Sequence, residues 1–280
     1  MKFASYVHRG KASFGAVMGD GVIDVSGRLP GIKTLADALA AGALPRLADL
    51  ASGMTAHAAL DELELLPPIP QPRTIACVGL NYAAHAAEAG RQADKEAPVV
   101  FFRLPASIVG HGAPIRKPKA SHQYDFEGEL AVVIGRGGRH IAAADAMGHI
   151  AGYTCFMDGS VRDFQKRSLP AGKNFEGSGA CGPYLVTADA VPNVSALELS
   201  THLNGDRMQH APLSDLIHSI PDLIAFISAI VSLSPGDIIA TGTPAGVGVA
   251  RQPQLWLKPD DVVTVDIPGV GTLTNRVVAE

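Results

Sequence analysis

The chain has 280 residues, 47% hydrophobic and 18% charged, a balance that excludes disorder and suits one large domain or a large and a small one. Twenty-three Lys and Arg against 27 Asp and Glu give a net charge of −4 with no long basic run, which excludes nucleic acid as the main partner. No apolar run reaches the roughly 18 residues of a membrane span, and MKFASYVHRGK breaks into charge too soon for a secretory signal, so a cytoplasmic location is expected. Cys77, Cys155 and Cys181 are odd in number, lack metal-ligand spacing and read as buried free thiols.

Lys2 to Arg9 and Ser13 to Met18 alternate as strands, and Gly19-Asp20-Gly21 turns the chain into a third strand, Val22 to Val25. Leu35 to Ser52 reads as helix interrupted by Gly42 and Pro45, and Thr55 to Leu63 as a second helical piece. Pro67-Pro68-Ile69-Pro70-Gln71-Pro72 can be neither helix nor central strand. It is expected to be a linker over 67–73, between a small α+β domain at 1–66 and a larger domain at 74–280. Beyond it, strands are predicted at Ile75 to Val78, Val99 to Arg103, Glu129 to Gly135, His149 to Met157, Asp237 to Thr241, Val262 to Ile267 and Thr272 to Val278. Asn81 is expected to cap a short helix through Glu88, and Leu216 to Leu233 is the strongest helix, with Asp215 near its start. The fold class is α+β and β-rich.

Asp125, Glu127 and Glu129 are spaced two apart and share one face of a strand that runs into the apolar Leu130-Ala131-Val132-Val133. Such acids either coat a solvated edge or hold a cation that offsets their repulsion. Asp158, at the end of an apolar strand, is either a turn former or a further ligand. Carboxylates without a Cys or His cluster favour Mg²⁺ or Mn²⁺ and disfavour zinc.

Motifs through the second part make the chain resemble the fumarylacetoacetate hydrolase family. They are Val78-Gly79-Leu80-Asn81-Tyr82 with His85 and Glu88, Glu127-Gly128-Glu129 with its apolar strand, and Gly152-Tyr153 to Asp158. Arg162-Asp163-Phe164-Gln165, Gly172-Lys173-Asn174-Phe175 and Thr241-Gly242-Thr243-Pro244-Ala245-Gly246-Val247-Gly248 follow in the family's order. The resemblance implies rolled, mixed β-sheets and a homodimer. It implies Mg²⁺ or Mn²⁺ on Glu127, Glu129 and Asp158, with His85 as general base oriented by Glu88 three residues on. Lys173 is expected to point at the substrate and stabilise negative charge there. Gln165, Gly242 and Thr243 are expected to contact an oxo acid, the glycine loop offering backbone N–H groups to its carboxylate. Arg103 stands where many relatives have Lys; a fork onto a distal carboxylate is its expected role. Ala106 stands where Ser is common, and Met157 where relatives often have Asn. The polar run 89–97 reads as a lid, with mobility expected from about Tyr82 to Ala97.

The activity implied first is metal-dependent hydrolysis of a C–C bond in an acylpyruvate such as fumarylpyruvate. Oxaloacetate-type decarboxylation, or isomerisation of a 5-carboxymethyl-2-hydroxymuconate-type diacid, is the alternative. A non-catalytic binder of oxo acids is the rival from another class.

Overall fold

The computed structural model describes residues 1–92 and 94–280. The N-terminal strands Lys2–His8, Lys11–Met18 and Gly21–Asp24 form an antiparallel meander, as their alternation predicts. The following helical stretch breaks at Gly42 (φ 59°) into Leu35–Ala40 and Leu44–Ser52. The helix expected over Thr55 to Leu63 is absent. Ala58–Ala59 pairs with Gly21 and Val22 instead, and Leu60–Glu62 is a single 3₁₀ turn. A short helix is marginal alone in water, and here Val22 O and Asp20 O accept from His57 N and Leu60 N, drawing the segment onto the sheet edge.

The proline run does not divide the sheet. Lys2–His8 pairs with Gly179–Thr187 in register Lys2↔Val186, so the first strands continue the main sheet, and Ser5 Oγ donates to Pro68 O at 2.7 Å. From one edge to the other the strands run Ala58–Ala59, Gly21–Asp24, Lys11–Met18, Lys2–His8, Gly179–Thr187, Ile150–Met157, Gly128–Ile134, Ile238–Ala240, Ile75–Gly79 and Val99–Arg103. A second sheet of five orders Asp206–Pro212, Glu198–Leu203, Val262–Ile267, Gly271–Ala279 and Ile115–Lys117. Four of these strands, Ile115–Lys117, Gly179–Thr187, Glu198–Leu203 and Asp206–Pro212, are not evident in the sequence pattern.

The central strand Gly128–Ile134 is buried on both faces. Ala131 and Val133 join the core under the N-terminal helices with Leu35, Ala38 and Leu47. Leu130, Val132 and Ile134 join the core shared with Leu199, Val263 and Val265 of the second sheet and with Leu223, Ile224 and Ile227. That explains the unbroken apolar run: neither face meets water. The acids at its start are thereby carried into the protein interior.

The helix of the second core spans Ile220–Ile230, shorter than predicted, and its N-cap is Ser219. Asp222 N donates to Ser219 Oγ while Ser219 N donates to Asp222 Oδ2, a reciprocal capping box with Pro221 in the first turn. Ser219→Ala is expected to cost about 1 kcal/mol, read as a lower urea midpoint at unchanged slope. An unaltered midpoint would show the cap to be dispensable.

Candidate active site

Strand register assembles the acids. Gly128–Ile134 pairs with Ile150–Met157 so that Gly128 faces Met157, and Asp158 N donates to Glu127 O at 2.8 Å. Glu127 and Asp158 therefore lie opposite one another, and Glu129, two residues on, projects to the same face. The three carboxylates are buried and offer ligand atoms within 4.8 Å of one another. Gly128 between them leaves room for the second sheet: a Cβ there would lie 3.2 Å from both Thr201 Cβ and Val265 Cγ2, and 2.0 Å from Thr201 Oγ1.

Asp125 does not join them. The strand is interrupted after Tyr124–Asp125, and the Asp125 carboxylate accepts from Gly248 N (2.7 Å), Val249 N (3.0 Å) and Arg162 Nε (2.9 Å). It pins the glycine loop, which satisfies it without a cation.

Three buried basic side chains partner the acids. Lys173 Nζ donates to Glu127 Oε2 (2.5 Å) and Asp158 Oδ2 (2.6 Å) and lies 5.2 Å from the Phe101 ring centroid. Arg162 donates to Glu127 Oε1 (2.6 Å), Asp125 and Gln165 Oε1 (2.9 Å). Arg103 donates to Asp158 Oδ1 from behind. Burial disfavours ionisation of Glu127, but the Arg162 and Lys173 charges outweigh it and hold its carboxyl well below the usual range. Burial likewise opposes the charge on Lys173, yet Asp158 and Glu127 keep it protonated and raise its pKa. Glu129 goes the other way. Burial, then the negative charges of Asp158 and Glu127, push it well up, because its own hydrogen bond comes from Gly242 N (2.9 Å) and no salt bridge reaches it among the described residues. A carboxylate triad with one acid left uncompensated fits a hard divalent cation with oxygen ligands.

His85 and Glu88 share the helix Ala83–Glu88, and His85 Nδ1 lies 2.7 Å from Glu88 Oε1. Glu88 Oε2 accepts from Gly246 N (2.9 Å), so the glycine loop holds the carboxylate that holds the imidazole. His85 Nε2 has no hydrogen-bond partner among the described residues, which leaves it for the cleft. The cleft, about 480 Å³, is lined by the acids, His85, Glu88, Lys173, Gln165 and Thr243. Val78, Leu80, Val99, Phe101, Leu169 and Val247 wall it, with Arg91 and Lys166 among the exposed lining residues.

Several sequence expectations change. Arg103 is not in the cleft lining: it is 3% exposed and fully engaged behind Asp158, so it is no fork for a distal carboxylate. Gly242 N serves Glu129, and Thr243 Oγ1 donates to Gly128 O (2.9 Å), so these groups brace the acidic strand from the cleft's edge. Asn81 does not cap the helix; its amide donates to Thr241 O (2.8 Å) and His218 O (3.1 Å), tying the helix start to the glycine loop. The first part of the expected lid is anchored, with Tyr82, His85 and Ala86 buried; residues 89–92 and 94–96 are all exposed, and residue 93 lies outside the described residues. Arg162, which sequence reasoning left without a role, binds two of the acids. Its signal was the position four after Asp158, one turn into the segment that follows the strand.

Gly242 has φ 106°, and a Cβ there would lie 2.8 Å from Asn81 Cβ. Gly242→Ala is expected to cost about 1–3 kcal/mol in stability and to weaken divalent-cation binding by shifting the N–H on Glu129. Calorimetric melting with and without Mn²⁺ checks both; a wild-type difference between the two melts would refute the bracing role.

A mixed-sheet fold with this triad and dyad is that of a family. The fumarylacetoacetate hydrolase C-terminal family model matches residues 74–278, and the chain belongs to that family. It is 41% identical over 223 residues to oxaloacetate tautomerase YisK of Bacillus subtilis, covering 78% of this chain and 74% of that one. The structure of 5-carboxymethyl-2-hydroxymuconate delta-isomerase from Mycobacterium smegmatis superposes with TM-score 0.79 at 32% identity over 100% of this chain and 99% of that one. Maleylpyruvate hydrolase from Sphingobium sp. SYK-6, in complex with manganese(II) and pyruvate, superposes with TM-score 0.82 at 27% identity over the same shares. The relatives are enzymes of one family with tautomerase, isomerase and hydrolase names. No helix among the described residues is long and apolar enough to cross a membrane.

Proposed function

We propose that the protein is a divalent-metal-dependent enzyme that interconverts the keto and enol forms of a 2-oxo diacid of the oxaloacetate type. The observation that carries this reading is the His85–Glu88 dyad facing a buried triad of Glu127, Glu129 and Asp158 across one cleft. The 41% identity to an oxaloacetate tautomerase supports the substrate class and moves it ahead of the acylpyruvate hydrolysis expected first. Glu127, Glu129 and Asp158 would hold Mg²⁺ or Mn²⁺, the manganese in a neighbouring structure favouring the same ion class. When bound, such an ion supplies Lewis acidity towards the carboxylate and ketone oxygens of a 2-oxo acid.

The chain's own groups do the proton work. His85 Nε2 removes a proton from the carbon beside the ketone, or returns it, and a second proton moves at the oxygen from solvent. Glu88 keeps the proton on Nδ1 and so leaves Nε2 as the base. The tie from Gly246 N to Glu88 fixes the plane of the dyad. The Lys173 ammonium adds positive charge beside the oxygens where negative charge develops, and the apolar walls reduce competing water. The far carboxylate of the diacid meets Arg91 and Lys166, whose side chains have no acidic partner among the described residues. Arg91→Ala with Lys166→Ala is expected to raise KM for oxaloacetate at least about tenfold, a lost charged contact of about 1.5–3 kcal/mol, and to leave KM for a neutral-tailed oxo acid near wild type. Equal KM changes for both would remove these residues from the site.

Hydrolysis of a C–C bond in an acylpyruvate is the second reading, favoured by the maleylpyruvate hydrolase neighbour. There the same Nε2 would take its proton from attacking water. The test incubates Mn²⁺-loaded protein with enol-oxaloacetate and with maleylpyruvate and fumarylpyruvate, following the enol chromophore and pyruvate release separately. Enol decay faster than with Mn²⁺ alone, without pyruvate, supports the tautomerase. Pyruvate from an acylpyruvate supports the hydrolase, pyruvate from oxaloacetate a decarboxylase, and no acceleration of any substrate would reject enzymatic action on this class. The expected assembly is a homodimer, checked by sedimentation equilibrium.

A further inference from the structure

We infer that Arg103 is a positioning residue: it takes one oxygen of Asp158 and thereby sets which oxygen faces the cleft. The inference rests on the assignment of Asp158 as a metal ligand. Arg103 ends the strand Val99–Arg103, pairs with Ile75, and is 3% exposed. A guanidinium has five N–H donors in a rigid plane, and five acceptors surround this one. Nε donates to Ser107 Oγ (3.1 Å). Nη1 donates to Asp158 Oδ1 and to Gly159 O (3.0 Å). Nη2 donates to Ser107 O (3.3 Å) and Ser178 Oγ (3.1 Å). The acceptors come from three separate segments, and Gly179 leaves the space: a Cβ there would stand 2.8 Å from Nη2.

The fork is therefore held on every side except the one it presents to Asp158. With Oδ1 engaged from behind, Oδ2 is the oxygen turned to the cleft, where Lys173 Nζ meets it at 2.6 Å. A buried charge with all donors filled does not rearrange for a substrate, so Arg103 acts only through Asp158. In this chain a lysine would not meet all five acceptors. A single nitrogen with three donors cannot satisfy Ser107, Ser178, Gly159 and Asp158 together, and the carboxylate would be free to rotate. Partners that orient a metal ligand typically govern affinity by about 10–100-fold.

The experiment measures Mn²⁺ affinity by titration calorimetry and melting temperature for wild type, Arg103→Lys, Asp158→Asn and Leu223→Ala. The last is a remote core variant that shows how far lost stability alone lowers affinity. The expected result is a fall of about 10–100-fold in Mn²⁺ affinity for Arg103→Lys, well beyond that of Leu223→Ala at matched melting temperature. Wild-type affinity in Arg103→Lys, or a loss no larger than that of Leu223→Ala, would overturn the positioning role. Should Arg103→Lys not fold, Ser178→Ala loosens the same fork without touching Asp158. A measurable affinity loss is then expected, and wild-type affinity would overturn the inference. If Asp158→Asn binds Mn²⁺ as wild type does, the ligand assignment fails instead, which separates the two ideas.

Discussion

His85→Asn is expected to lower kcat for keto–enol interconversion by about 10²–10⁴-fold, the usual contribution of a positioned general base, with Mn²⁺ affinity close to wild type. Asparagine keeps a polar group near Glu88 but offers no basic nitrogen. The His85 ring is tied at Nδ1 to Glu88 (2.7 Å), and Glu88 is tied to Gly246 N (2.9 Å), so the base is preorganised and its loss falls on turnover. Glu88→Gln should lose less, since an amide can still accept from Nδ1 but stabilises the protonated ring poorly. Parallel stopped-flow and calorimetric measurements decide the matter. Wild-type kcat in His85→Asn, or a rate loss matched by an equal loss of metal affinity, would show that His85 moves no proton.

Glu127→Gln and Glu129→Gln are expected to change the stability of the chelator-treated protein in opposite directions, while both suppress activity. Glu127 is shared between Arg162 and Lys173, at 2.6 and 2.5 Å. Neutralising it leaves two buried cations short of a partner, a loss of about 3–5 kcal/mol by analogy with broken buried ion pairs. Glu129 has no such partner and faces the charges of Asp158 and Glu127. Its neutral amide can still accept from Gly242 N, so Glu129→Gln should be neutral or stabilising. Relief of like-charge repulsion on neutralisation is thus expected for Glu129 alone; Asp158, bound by Arg103 and Lys173, belongs with Glu127. Denaturant unfolding with EDTA present measures both. A Glu127→Gln protein as stable as wild type would mean that the ion pairs contribute nothing net.

Local pattern carried much of this in advance. Alternation located the N-terminal meander and the strands that bear the acids, because side-chain direction in a strand depends only on parity. The same parity put Glu127 and Glu129 on one face, and helical spacing joined His85 to Glu88. The helix expected at 55–63 failed because its pattern was weak and a sheet edge competed for its backbone. Asp125 was grouped with the other acids because parity assumes an unbroken strand; the interruption after Asp125 is imposed by Gly248 and Val249, over 120 residues away. Strands such as Gly179–Thr187, rich in glycine and small residues, take their place from neighbours and not from propensity.

By itself, then, the amino-acid sequence determined the β-rich class and the family motifs, and it singled out candidates for acid, base and metal-ligand chemistry. The class rests on residue type and short spacing, the candidate roles on the family resemblance. Only the tertiary structure decided what each charge is paired with. Arg103 lies 55 residues from Asp158, Arg162 lies 35 from Glu127, and Lys173 spans both acids. An isolated arginine reads equally as a substrate fork or a buried brace. Which it becomes depends on whether folding delivers enough acceptors to fill its donors, and for Arg103 the nearby Ser107 and two distant segments deliver five.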